Sequence, residues 1–373
     1  MEQFASYGTP LTGPVSADSI ESALATEWKA ATASADPIHP PVRASVLSLI
    51  VCVVRPTTAD DVLDAVGHLS RQNPSRALIL VPDATFGQRD LDVWTSTGCI
   101  AKESFDHPVC AEQIIIAARG NAQRMFPTLA DQIILSDLPS FLWWTGDLPA
   151  DDGLFRRLSG LADRVIIDSS TFQSLGPAAS RLSRLLRQRS QPADFSDLSW
   201  GRLTPWRELL SQFFDAPATR ARLADVDRLA IEYDPADGTG PAQAVLLVGW
   251  LAECLKWRFE GESLSLGAGF EGRLARGNGG AIEVSVRASV DRGLGGLRRV
   301  RLGAGDSASF MVERDAQDNH ALTVAEIAGA PPLRRSVRFE SPDVSTLLAN
   351  ELTYFGRDQL YERALAIVTG LAG

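Results

Sequence analysis

The chain has 373 residues, of which 45% are hydrophobic and 22% charged, and its formal net charge is −10. That length and composition suit a soluble protein of two domains or one large one, while the acidity argues against a polyanion such as nucleic acid or an anionic membrane as its partner. Four scattered cysteines, Cys52, Cys99, Cys110 and Cys254, include no C-x-x-C pair. Neither a zinc site nor a disulfide scaffold is signalled, and buried reduced thiols are expected over a Cys99–Cys110 redox pair. The N-terminus has no basic stretch followed by an apolar one, and no apolar run is long enough to span a bilayer, so the expectation is a cytoplasmic protein.

In chain order, Ala17–Ala31 carries Ile20, Leu24 and Trp28 at helical spacing, and Val46–Val54 is a continuous β-rich run that reads as a buried strand. Thr57 or Thr58 is a cap for a helix over Ala59–Arg71, where Val62, Val66 and Leu69 repeat every three or four residues. Arg76–Val81 and Glu112–Ala118 are further strands. Asn121 is placed to cap a helix toward Leu135, which Pro127 should kink or break. Phe141–Trp144 and Arg164–Ile167 read as strands, with a helix over Gly153–Leu161 between them. Strands alternating with helices predict an α/β N-terminal domain with a mainly parallel sheet.

The pattern changes near Gln191-Pro192, which predicts domains over 1–195 and 196–373. Pro205 opens a short helix over Trp206–Phe214, and Leu229–Tyr233 is a strand. Ala244, Leu247, Val248, Leu251 and Leu255 mark an amphipathic helix. From Ser263 to Phe339 short strands follow one another, including a hairpin of Phe270–Leu274 and Ile282–Val286 around Arg276-Gly-Asn-Gly-Gly280. The chain closes in helix from Val344. An α+β C-terminal domain with an antiparallel sheet is expected.

Catalytic patterns are sparse. Gly267-Ala-Gly269-Phe-Glu-Gly272 matches the dinucleotide fingerprint as a string, but it runs into a hairpin instead of a helix N-terminus, so it predicts a turn and strand. His39, His68, His107 and His320 lie apart from carboxylates at ligand spacing, so no metal or cofactor is expected. Arg181, Arg184, Arg187 and Arg189 read as a solvated helix face. Arg298, Arg299 and Arg301, and then Arg334, Arg335 and Arg338, are spread over strands; they read as a basic face for an acidic partner or as plain exposed sheet surface.

The tryptophan segments are the exception. Asp137-Leu-Pro-Ser-Phe-Leu-Trp143-Trp144-Thr-Gly, Ala162-Asp-Arg-Val-Ile-Ile-Asp168-Ser169 and Asp197-Leu-Ser-Trp200-Gly-Arg202-Leu-Thr-Pro205-Trp206-Arg207 follow in that order. This set resembles the OpcA family of glucose-6-phosphate dehydrogenase assembly proteins, with weaker similarity through most of the chain. The resemblance implies a non-catalytic protein that binds glucose-6-phosphate dehydrogenase, supports its active oligomer and raises its activity. Some photosynthetic members use cysteines near the C-terminus for redox control, whereas this chain has none after Cys254.

Rigid aromatic and arginine side chains suit such an interface, which makes Trp143, Trp144, Trp200, Arg202, Trp206 and Arg207 the candidate partner contacts. The competing expectation is burial: a strand points Trp143 and Trp144 to opposite faces, and Trp206 is on the apolar side of its helix. Asp137 and Asp168 are structural or junction candidates, with Arg202 or Arg207 bracing Asp168 or Asp197. A second reading is a sugar-phosphate- or nucleotide-binding enzyme using Asp137, Asp147 or Asp168-Ser169 at the carboxyl ends of the N-terminal strands. That reading needs a phosphate-binding glycine turn, which the sequence lacks.

Overall fold

A computed structural model describes every residue except 1–5, 36–37, 44, 83–89, 101–106, 150–152, 188–192, 260–268, 278, 291–292, 316–318, 355 and 373. Arg189, Pro192, Gly267 and Asn278 of the sequence motifs therefore lie outside the described residues. The chain forms two compact units: Met1–Ile167 with Arg189–Ser196 and Asp343–Gly356, and Asp168–Gln188 with Asp197–Pro342 and Arg357–Gly373. One crossing, Ser196 to Asp197, lies beside the boundary expected from composition.

Unit 1 begins with β1 (Thr9–Pro10), α1 (Ala17–Ala33), β2 (Val42–Arg43), β3 (Ser48–Cys52), α2 (Ala59–Gln72), β4 (Arg76–Val81), β5 (Leu91–Ile100) and β6 (Val109–Ala118). It continues with α3 (Phe126–Ile133), β7 (Ser140–Trp144), α4 (Gly153–Ser159) and β8 (Arg164–Ile167). The sheet runs β1-β5-β6-β4-β3-β7-β8 and ends on β9 (Asp194–Asp197), with β2 beside β6. Pairings among β6, β4, β3, β7 and β8 are parallel, while β5 runs antiparallel to β6. Every residue of β3, β4, β7 and β8 is buried, as helices on both faces of a parallel sheet require. The α/β expectation holds for this unit.

Three local expectations change. Thr58 makes no side-chain cap for α2. Asn121 caps nothing: Gly120–Met125 is a 3-10 turn, and α3 starts after it with Pro127 in its first turn, where a missing N–H costs no helical bond. Cys99 and Cys110 are directly opposite each other on β5 and β6 and form a disulfide, which corrects the expectation of reduced thiols. Because β5 was absent from the sequence reading, nothing there placed Cys99 opposite Cys110.

Unit 2 contains α5 (Leu175–Arg187), α6 (Leu198–Arg202), α7 (Thr204–Gln212), α8 (Pro217–Arg220), β10 (Arg228–Asp234), α9 (Gly240–Leu255), β11 (Arg258–Phe259) and β12 (Phe270–Ala275). Then come β13 (Ala281–Ala288), β14 (Gly296–Ala304), β15 (Ala308–Arg314), β16 (His320–Ile327) and β17 (Leu333–Arg338). After α10 (Val344–Thr353), which packs on α2 in unit 1, the chain ends in unit 2 with α11 (Gln359–Ala372). The eight-stranded sheet has the order β11-β12-β13-β10-β14-β15-β16-β17. All its pairings are antiparallel except that of β10 with β13. This is the expected α+β arrangement.

Alternation sets the faces of this sheet. Leu229, Ile231 and Tyr233 of β10 are buried, while Arg228 and Ala230, which alternate with them, are exposed. The covered side packs against α9, which is apolar nearly all round and touches β10, β14 and α11. Gly249 is required at the α9–α11 contact, because a Cβ there would come 2.6 Å from the Ala364 carbonyl oxygen.

Candidate functional site

The signature residues fall into two groups. Trp143 and Trp144 are at the end of β7, paired with Val51 and Cys52 on one side and Ile166 and Ile167 on the other. Their exposures are 5% and 3%, so both faces of β7 are covered. The Trp144 indole N–H donates to the Asp147 carbonyl at 3.0 Å, and its ring meets Phe155 of α4 edge-on at 5.0 Å. The Trp143 N–H has no acceptor among the described residues. Asp137 is exposed in the turn before β7.

The second group is within unit 2. Asp168 directly follows β8, and its two carboxylate oxygens accept from the two terminal nitrogens of Arg202 at 2.9 and 2.8 Å. Asp168 also accepts from the Ser170 N–H and from the hydroxyls of Ser170 and Ser199. Two-pronged geometry of this kind fits a planar guanidinium. Burial opposes ionisation of Asp168, but Arg202 and these bonds outweigh it and hold the carboxyl below its usual range.

Asp197 is the buried neighbour. Its carboxylate accepts from the N–H groups of Ser169 and Ser199 and from the Tyr361 hydroxyl at 3.1 Å, so α6, the turn after β8 and α11 meet at one side chain. Burial first, and then the Asp168 charge, push its pKa up to about 6. Adjacent carboxyls with pKa values moved apart are also a pattern of acid–base sites. Here the space beside Asp197 and Ser169 is about 20 Å³ and is otherwise lined by apolar side chains such as Phe172, Val245 and Leu365. That is room for one water, not a substrate. The hydrogen bonds of this cluster join α6, the turn after β8 and α11.

Around this joint the helix α6 carries Trp200, 5% exposed, whose N–H donates to Asp358 at 2.8 Å. Asp358 in turn accepts from the Tyr361 N–H in the first turn of α11. Trp206 is 1% exposed and packs its ring edge-on against Phe339 at 5.2 Å. Arg207 is half-buried. Its guanidinium stacks over the Trp200 ring at 3.9 Å and donates to the Thr204 hydroxyl, and it borders an open groove of about 430 Å³ with Glu208, Trp250 and Leu360.

The structure thus brings Asp168, Trp200, Arg202 and Arg207 into one cluster, while Trp143, Trp144 and Asp137 belong to unit 1. Asp168 takes Arg202 as its brace, as one of the sequence pairings had it. Sequence reasoning missed Tyr361 and Asp358, which carry no motif and lie more than 150 residues from their partners. Among the described residues no cluster of three or more His, Cys, Asp or Glu is placed to hold a metal. The glycine string near Gly269 leads into β12 and β13, so no helix follows it. No helix among the described residues is long and apolar enough to cross a membrane.

Two family models match successive stretches of the chain. Residues 66–184 match the family model of the glucose-6-phosphate dehydrogenase subunit N-terminal domain (OpcA), and residues 193–365 match that of the C-terminal domain. The chain belongs to the OpcA family. It is similar to the OxPP cycle protein OpcA of Synechocystis sp., with 27% identity over 81% of this chain and 64% of that protein. The OpcA of Nostoc punctiforme is 32% identical over 51% of this chain and 40% of its own length. The OpcA of Synechococcus elongatus is 28% identical over 80% of this chain and 68% of its own length. The chain thus spans less than two thirds of the first two of these relatives. A solved dehydrogenase (MviM) from Clostridium difficile aligns with 87% of this chain and 97% of its own at 9% identity, with a TM-score of 0.47, too distant to carry an argument.

Proposed function

We propose that this protein is a non-catalytic partner of glucose-6-phosphate dehydrogenase that binds the enzyme, favours its active oligomer and raises its activity, supporting NADPH supply in the oxidative pentose phosphate pathway. The observation that carries the reading is the match of both halves of the chain to the two OpcA domain models. An activator of this kind acts by binding one state of its enzyme more tightly than another, because equal affinity shifts no equilibrium.

The contact is proposed at the accessible edge of the signature cluster. Arg207, held flat on Trp200, offers guanidinium N–H groups to the groove, and Trp250 and Leu360 supply its apolar part. Trp206 and Arg202, in the same unit, then support the interface from within. The test mixes the purified chain with glucose-6-phosphate dehydrogenase from the same source. It follows co-migration on a sizing column and the substrate dependence of the rate. No change in either at micromolar concentrations overturns the reading, as does turnover of sugar phosphate with NADP by this chain alone.

A further inference from the structure

Two arginine groups stand on the eight-stranded sheet, and they differ in their surroundings. On β14, Arg299 is bonded to Glu232 at 2.9 Å and also to Glu313, and Arg301 reaches Ser309 and Glu326. Those charges are matched inside the sheet. On β17, Arg338 pairs with Glu340, but the side chains of Arg334 and Arg335 have no bonding or ion-pair partner among the described residues. Five of the six residues of β17 are exposed, and Leu333 is 52% exposed.

β17 is also the end of its sheet. It is in regular antiparallel register with β16 from Ala325↔Leu333 to His320↔Arg338, and no strand pairs with its other edge among the described residues. Alternate residues of such a strand turn their N–H and C=O groups outward. A regular six-residue edge is a template for another strand, and arginines along it are one device that proteins use to keep unwanted strands away. That device discriminates by charge. A second copy of β17 would add its own three arginines to the three already there, and like charges on paired strands repel. An acidic strand meets the opposite situation: it gains the outward main-chain bonds and neutralises the two unmatched guanidiniums. The contrast is sharper because the chain as a whole is acidic, at −10, and concentrates positive charge here.

We propose that the outer edge of β17 is a docking site for an extended acidic segment of a partner protein, which adds to the sheet as a further strand. Arg334 and Arg338 contact it from one face of the sheet and Arg335 from the other, since side chains alternate along the strand. Main-chain bonds supply affinity and the arginines select acidic sequences. The proposal does not depend on which enzyme the chain assists.

The experiment uses the full chain and an end-blocked, fluorescently labelled peptide, Glu-Glu-Val-Glu-Glu-Val, which carries acid on both faces of a strand, followed by anisotropy. A Lys-for-Glu analogue serves as the control for charge, and two analogues N-methylated at alternate residues, one in each phase, serve as the control for strand pairing. The acidic peptide should bind and the lysine analogue should not. One N-methylated phase should bind as the parent does and the other should lose at least about tenfold, because only one phase places its N–H groups against β17. A double change of Arg334→Ala and Arg335→Ala, with an unaltered thermal unfolding midpoint, should weaken the parent peptide by about tenfold, equivalent to a few cross-strand charge pairs. Equal binding of both N-methylated phases, equal binding of the lysine analogue, or undiminished binding to the double variant overturns the proposal. So does absence of binding at millimolar peptide.

Discussion

Trp143 and Trp144 belong to one contiguous motif, and Trp200, Trp206 and Arg207 to another, yet the two regions use their aromatic rings differently. On β7 the rings fill both faces of a parallel sheet strand and are covered on each side. In unit 2 a buried ring on a five-residue helix joins separate chain segments through Asp358 and Tyr361 and is covered on one face by a guanidinium. The lesson is that a tryptophan in a signature motif reports a packing requirement first.

The largest effect is expected at the joint of unit 2. Arg202→Ala leaves the Asp168 carboxylate buried without its cation, so it should lower stability by about 3–5 kcal/mol in urea unfolding. The paired change of Asp168→Leu with Arg202→Met should recover most of that loss. A double variant as unstable as Arg202→Ala would show that the ion pair is not what holds the joint.

A loss of similar size, about 3–5 kcal/mol, is expected for Trp143→Ala from the cavity it leaves in the parallel sheet. Trp144→Phe should cost only about 1 kcal/mol, since a ring remains against Phe155 and one hydrogen bond to Asp147 goes. Comparable losses for both would mean that the indole N–H matters more than the packing. Breaking the Cys99–Cys110 disulfide with Cys99→Ala should remove about 2–4 kcal/mol under oxidising conditions and nothing in excess dithiothreitol.

Asp197 gives a pH-dependent signature that separates the two carboxylates. Its pKa is raised to about 6 in the folded chain, so between roughly pH 4, where an unfolded aspartate titrates, and pH 6 the native state holds more protons than the unfolded one. Stability from this group is therefore present at low pH and falls as pH rises through that window. Asp168 has the opposite sign: its pKa is lowered, so its contribution is present above the unfolded pKa and lost as pH falls through the folded value. Asp197→Asn should accordingly gain on the natural chain as pH is raised from 4.5 to 7, read from denaturant midpoints. A constant difference across that range would mean that Asp197 is ionised throughout.

The smallest stability effect belongs to Arg207. Removing its guanidinium from the Trp200 ring should cost about 0.5–1 kcal/mol. On the proposed interface the same Arg207→Ala change should sharply reduce activation of the dehydrogenase. A variant that activates as well as the natural chain removes Arg207 from the contact surface.

Much of the architecture was legible in the chain itself. Val46–Val54, Arg76–Val81, Phe141–Trp144 and Arg164–Ile167 are short apolar runs between helical periods, and they became the buried parallel strands. Strand β5 escaped because Leu91–Ile100 mixes Asp92 and three hydroxyl residues with its apolar ones, and antiparallel pairing with β6, not composition, makes it a strand. The disulfide went with it. Of the candidate site, the Asp168–Arg202 brace was within reach because both residues carry the motif. Tyr361 and Asp358 were not, because a hydroxyl in the C-terminal helix and a carboxylate just before it have no local pattern that points to residues 197 and 200.

By itself the sequence determined the family signature, the alternation of strands and helices, and the change to short antiparallel strands in the second half, since all three are written in local spacing. Only the tertiary structure decided which charges are matched. It buried four signature tryptophans, paired Arg202 with Asp168, neutralised the arginines of β14 and left Arg334 and Arg335 unmatched on an open edge. The physical reason is that exposure and pairing depend on which neighbours the sheet order supplies, and no spacing along one strand records its partner across the sheet.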